Sequence, residues 1–290
     1  MKLTTKFNVV LGSVFTIGLA IAGMVSYSVL HNNARDEVIK HAGMMMQAAL
    51  SIRGYTINEI KPLLTKQLKK KFLPQTVPSY AATQNFKSLH EKYPEYMYKE
   101  ATLNPTNPRD RAADWEADII QQFRNDKNLA QVVGERDTPT GPSLYLARPI
   151  TIKNKACLSC HSTIDAAPKS MLKLYGNANG FGWKHNETVG SQIISVPIAK
   201  AMAKANQAFT IFMVSLVAIF IALFLLINIM LRKMVINKVN NIASIADQVS
   251  KGDLDTAAFE TTGNDEMSTL AQSFNRMRIS LEKAMKMLSD

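Results

Sequence analysis

The chain has 290 residues, 34 of them basic and 23 acidic, for a net charge of +11, and 47% are hydrophobic. That length suffices for one globular domain plus membrane segments. The basic excess raises nucleic acid as a partner, but 24 basic and 15 acidic residues fall within 31–207, a segment expected to lie outside the cytoplasm, where no nucleic acid is expected.

Residues 1–8 carry Lys2 and Lys6 and read as a cytoplasmic N-terminus. Residues 9–30 form 22 positions without a charge, enough for a spanning helix. The run exceeds the apolar core of a cleaved leader and no small-residue cleavage site comes after it, so it reads as an uncleaved signal anchor.

Residues 32–72 read as one long helix continuing from that span, with Met45, Ala49 and Ile52 at helical spacing. Lys69-Lys70-Lys71 reads as a solvated helix end or a lipid-facing patch, and Pro74 and Pro78 break the chain beyond it. Leu103-Asn104-Pro105-Thr106-Asn107-Pro108 is a loop, with Asn107 an N-cap and Pro108 at the first helical position. The next helix places Trp115, Ile119 and Phe123 on one face. Residues 144–148 and 192–196 read as strands, so the segment 31–207 is α+β with a long helix first and a small sheet later.

Between those strands stands Cys157-Leu158-Ser159-Cys160-His161, which holds both cysteines of the chain. C-x-x-C-H is the attachment pattern of a c-type haem. Two thiols reach two vinyl groups, and the adjacent imidazole reaches the iron as proximal ligand. One covalent haem c is therefore expected on Cys157 and Cys160 with His161 on the metal. A zinc site would have to recruit a distant ligand such as His185. A redox dithiol would want a βαβ context that is missing. In the Gly-rich loop 175–183, Phe181 and Trp183 are placed to cover a porphyrin face, or serve as ordinary core aromatics. Arg53 and Arg148, with Arg111, are candidate partners for the propionates. The other face of the iron is open: Met44, Met45 or Met46, His185, another His or Met, or an unfilled position for O2, NO or CO. Met45 and His185 are the leading protein ligands.

Residues 208–231 are a second apolar run, 24 positions without a charge. Basic residues flank both runs on both sides, so charge barely orients them. Haem c attachment on the periplasmic side does: 31–207 lies outside, both termini inside, in a two-pass protein of the bacterial inner membrane.

Residues 232–286 form an all-α module. Ile236, Val239, Ile242, Ala246 and Val249 make one seam. After Gly252-Asp253-Leu254, a second seam runs Met267, Leu270, Phe274, Met277, Leu281, Ala284, Leu288, with a short tail at 287–290. Neither seam buries itself within one chain, so a homodimeric four-helix bundle is expected.

Several stretches in one order resemble a bacterial periplasmic haem c sensor-domain family, long catalogued as a domain of unknown function. They include Arg53-Gly54-Tyr55, Tyr98-Lys99-Glu100-Ala101-Thr102-Leu103-Asn104-Pro105, Trp115-Glu116-Ala117-Asp118, Ala147-Arg148-Pro149-Ile150, the haem motif, Gly180-Phe181-Gly182-Trp183 and Ser195-Val196-Pro197. The resemblance implies a PAS-like fold with a covalent haem. The seams, with Gly252-Asp253-Leu254 and Asp265-Glu266-Met267, resemble a HAMP domain, although its usual early proline is replaced by Asn237-Lys238. The expected function is a receptor detecting redox state or a diatomic gas, with a membrane-anchored electron-transfer cytochrome as the alternative. No constellation for acid–base or nucleophilic catalysis is present, so a non-enzyme is expected. No kinase, cyclase or chemotaxis-type output module is seen, so the signalling partner would be a separate protein.

Overall fold

The computed structural model describes residues 1–139, 141–253, 258–259 and 263–289. Two compact units divide the chain: residues 27–209, and residues 1–26 together with 210–290.

In the first unit, helix α1 (Leu3–Tyr55) buries Val38, Ala42, Met46 and Ala49, one stripe at steps of 3 and 4. It packs on a four-stranded antiparallel sheet of order β1-β4-β3-β2, formed by β1 (Met97–Thr102), β2 (Val132–Thr138), β3 (Gly141–Thr151) and β4 (Thr188–Pro197). Strand alternation divides the core. Leu144, Leu146, Ile194 and Val196 face α1 and Phe86. Ala147, Ile193 and Ala101 face Ile119 and Phe123 of α3 (Asp114–Asn125). The domain is thus a mixed α/β unit with helices on both sheet faces.

Three local expectations are corrected. The first concerns the long helix, which ends at Tyr55. A π-turn over Thr56–Ile60 and short turns Lys61–Leu63 and Thr65–Leu68 come next, because Pro62 has no N–H to continue the ladder. The second concerns Pro78, which starts a helix rather than only breaking one. In α2 (Pro78–Lys92) it sits at the first turn, where the missing N–H costs nothing. The third concerns Asn107. Its side chain accepts from Arg109 N (3.2 Å) and caps only the 3-10 turn Pro108–Asp110; α3 begins later, with Glu116 Oε2 accepting from Ala113 N at 2.8 Å. Two strands, β1 and β2, join the two that the sequence indicates.

The second unit contains the start of α1 and, from Thr210 on, helix α6 (Ala199–Leu231), both long and apolar. They touch where Phe15 stacks on Phe220 at 4.7 Å. A π-turn over Arg232–Ile236 leads into α7 (Asn237–Ser250), and α8 (Glu266–Ser289) comes after it. Ile242, Phe259 and Ala271 form a small core with Ile245 and Phe274. Asn275 fixes the connector, accepting from Phe259 N (3.0 Å) and donating to Phe259 O (3.1 Å). Asp265 caps α8. Hydrogen bonds from the Ser268 hydroxyl and backbone N–H, then the Lys238 ammonium, hold its pKa down at about 2. The Val239, Leu270, Met277 and Leu281 side chains of the seams stay exposed on the single chain. Leu254 and the Leu288 side chain lie outside the described residues.

Candidate functional site

The two cysteines sit on a short helical segment between β3 and β4. Asn154 accepts from Ala156 N at 2.8 Å and starts the 3-10 turn Lys155–Cys157, which runs directly into α4 (Leu158–His161). Both thiols are free; Cys157 is exposed and Cys160 half-buried. A helical turn separates them from each other and carries His161 beside the second.

His161 is held by groups from two loops. Its Nδ1 lies 2.7 Å from the Gly180 carbonyl. A carbonyl only accepts, so Nδ1 carries the proton and Nε2 keeps its lone pair. Trp183 stacks on the imidazole, with centroids 4.0 Å apart and planes 12° apart. Burial lowers the His161 pKa against the opposing Gly180 hydrogen bond, which favours the neutral ring. The Gly-rich loop is fastened in turn. Trp183 N donates to His161 O (3.1 Å) and Gly182 N to Ser162 O (2.9 Å). Asn104 accepts from Gly180 N and donates to Phe181 O, both at 3.1 Å. The loop 103–108 therefore positions the imidazole through Gly180. Helix α5 (Lys169–Tyr175) lies beyond α4 in the chain and sets Tyr175 edge-on to Phe72.

Gly180 has φ +88°, and a Cβ there would collide with the Thr106 side chain and Cα. Gly176 has φ +79° with open space around it. Gly180→Ala is expected to cost about 2–3 kcal/mol and Gly176→Ala about 1 kcal/mol. Thermal unfolding of the two variants separates the contact from the shared backbone strain; equal losses would mean that the Thr106 contact carries nothing.

Beside this site lies a buried polar network that no local motif announces. Arg53 Nη1 donates to both carboxylate oxygens of Glu100, at 2.6 and 2.5 Å. Tyr98 OH donates to Glu100 Oε1 at 2.6 Å, and Gln192 Nε2 donates to Tyr98 OH at 2.9 Å. Burial opposes the Arg53 charge, but Glu100 raises its pKa above the ordinary value, and Cys157 lies close enough to add to that field. Burial, then Glu100, pushes the Tyr98 phenol far above its usual range.

The other residues named from the sequence are spread more widely. Arg148 donates to Gln131 Oε1 (3.4 Å), and Arg111 to Asn179 Oδ1 (3.3 Å). Met46 is fully buried in the core of α1, Met45 packs against the same core, and Met44 is exposed. His185 is exposed, its Nε2 3.2 Å from Lys153 O. Phe181 is half-buried. Among the described residues no group of three or more His, Cys, Asp or Glu is placed to hold a metal ion by those side chains alone. The donors that are gathered fit a haem: two free thiols one turn apart, and an imidazole with a free Nε2 oriented through its other nitrogen.

The Tll0287-like family model matches residues 31–197, and the HAMP domain model matches residues 230–283. Among solved structures, the crystal structure of the cyanobacterial heme-protein Tll0287 is similar at 13% identity and a TM-score of 0.40, covering 56% of this chain and 93% of that one. The comparison with curated proteins finds no match.

Proposed function

The chain belongs to the Tll0287-like family and continues into a HAMP domain, and from that premise we propose that it is a haem c receptor of the inner membrane. Cys157 and Cys160 hold the haem covalently, and His161 Nε2 is the proximal ligand. The observation that carries this is the His161 tautomer fixed by Gly180 at 2.7 Å beside both free thiols. Bound there, a haem supplies an iron whose oxidation state or sixth ligand can change. Gly180 and Trp183 hold the imidazole in place, while the Arg53 charge is taken up by Glu100.

The long apolar helices α1 and α6 cross the membrane, with the haem-bearing unit in the periplasm and both termini in the cytoplasm. The stimulus is redox state or a small diatomic ligand. Two copies pair through the HAMP seams. The exposed Val239, Leu270, Met277 and Leu281 supply the apolar surface for this. The chain is a receiver without catalytic activity, and the HAMP domain relays to a downstream signalling partner of kinase, cyclase or chemotaxis type.

The reading is tested with Val239→Cys and Leu270→Cys in full-length chain, cross-linked in oxidised, reduced and CO-treated membranes. Inter-chain disulfides are expected, with rates differing about 5-fold or more between states, the lower end of ordinary allosteric coupling. Equal rates in all three states would sink the relay; no inter-chain product at either position would sink the dimer.

A further inference from the structure

The haem motif stands in a field of lysines contributed by two separate segments. Residues 61–73 contain five lysines and no acid; residues 151–185 contain five lysines and one acid, Asp165. The fold joins these segments. Phe72 N donates to Ser170 Oγ at 2.8 Å, and the Phe72 ring meets Tyr175 edge-on with centroids 6.2 Å apart. Lys69, Lys70 and Lys71 are thereby brought alongside Lys169 and Lys173, while Lys155 lies two residues before the exposed Cys157. All six are exposed, and none takes part in the ion pairs found among the described residues.

Uncompensated lysines repel one another and cost stability. A predominantly positive patch of this kind steers an oppositely charged partner and raises its rate of encounter. Resting on the haem reading above, we propose that this face docks an acidic one-electron carrier protein. A haem held by Cys157, Cys160 and His161 would supply ferric iron as the acceptor: the carrier's centre would lose one electron and the iron would gain it, with no bond in either protein formed or broken. Two features favour a redox carrier over a lipid surface. The patch is drawn from two segments of chain, one of them carrying the cysteines, rather than from one amphipathic helix. Its neighbour Cys157 is at the surface, so a group attached to that thiol would be within a carrier's reach.

The test uses full-length protein in detergent and a purified acidic flavodoxin as probe. Binding is tracked by fluorescence anisotropy between about 0.01 and 0.2 M salt. Wild type is expected to bind at low salt and to weaken about 10-fold or more across that range. Lys69→Glu/Lys70→Glu/Lys71→Glu and Lys169→Glu/Lys173→Glu should each weaken low-salt binding about 10-fold or more. The control Lys87→Glu/Lys127→Glu, with exposed lysines elsewhere on the same unit, should not. Reduction by the reduced flavodoxin should slow in parallel while the absorption spectrum stays unchanged. Binding that ignores the patch variants overturns the proposal. So does flavodoxin that fails to bind while vesicles of phosphatidylglycerol and phosphatidylethanolamine float the protein in a patch-dependent way. A chain without haem removes the receptor reading, yet leaves the anisotropy arm readable.

Discussion

A Cys157→Ser/Cys160→Ser chain is expected to retain no haem after denaturation and acid–acetone extraction, while wild type retains all of it. Thioether bonds survive unfolding, so retention reads the covalent link rather than the pocket. Each single variant keeps one thioether and therefore keeps pigment, with a shifted ferrous band from the vinyl left free. His161→Ala separates attachment from ligation. Both thiols remain, so pigment stays on the chain, but the iron loses the Nε2 that Gly180 prepares by holding Nδ1 at 2.7 Å. A pigment that wild-type chain releases on extraction would remove the covalent assignment. A His161→Ala spectrum identical to wild type would remove the proximal one.

The proposed attachment motif is legible because the chemistry it would serve is local: five consecutive residues would reach two vinyls and one iron. What orients His161 was not readable, since Gly180 stands 19 positions downstream and is itself clamped by Asn104, 76 positions away. The glycines of the loop and the Asn/Pro-rich stretch each signalled a turn, but nothing local says that one turn clasps the other. The same limit applies to secondary structure. Short, largely apolar runs gave β3 and β4, the central strands buried on both faces. The polar edge strand β2 and the mixed β1 lacked that signal, and Pro78 reads equally as a stop or a start until the helix after it is seen. The heptads of α7 and α8 were plain from spacing alone, because two whole turns repeat the pattern.

Arg53 illustrates the same separation most sharply. As a lone arginine it suits a propionate; in the fold its charge is committed to Glu100, 47 positions away on β1. The Glu100 carboxylate is 5% exposed and the Arg53 side chain 21%. Removing one member of such a pair leaves the other charged in a poorly solvated site. Glu100→Ala is therefore expected to destabilise the domain by about 3–5 kcal/mol, read as a lower unfolding midpoint. Glu100→Gln should cost less, because it still accepts from Tyr98. The Tyr98 phenol supplies a pH signature. Its folded pKa is raised above the usual 10.0, so the neutral ring's contribution is complete below that value. Above pH 10 the unfolded chain releases the proton and the folded chain does not. Stability attributable to Tyr98 then falls with rising pH, by about 1.4 kcal/mol per unit. Tyr98→Phe should remove that slope while leaving the midpoint at about pH 7 lower than wild type, since Glu100 and Gln192 each lose a partner. Parallel alkaline melting curves for wild type and Tyr98→Phe would show that the network does not hold the phenol neutral.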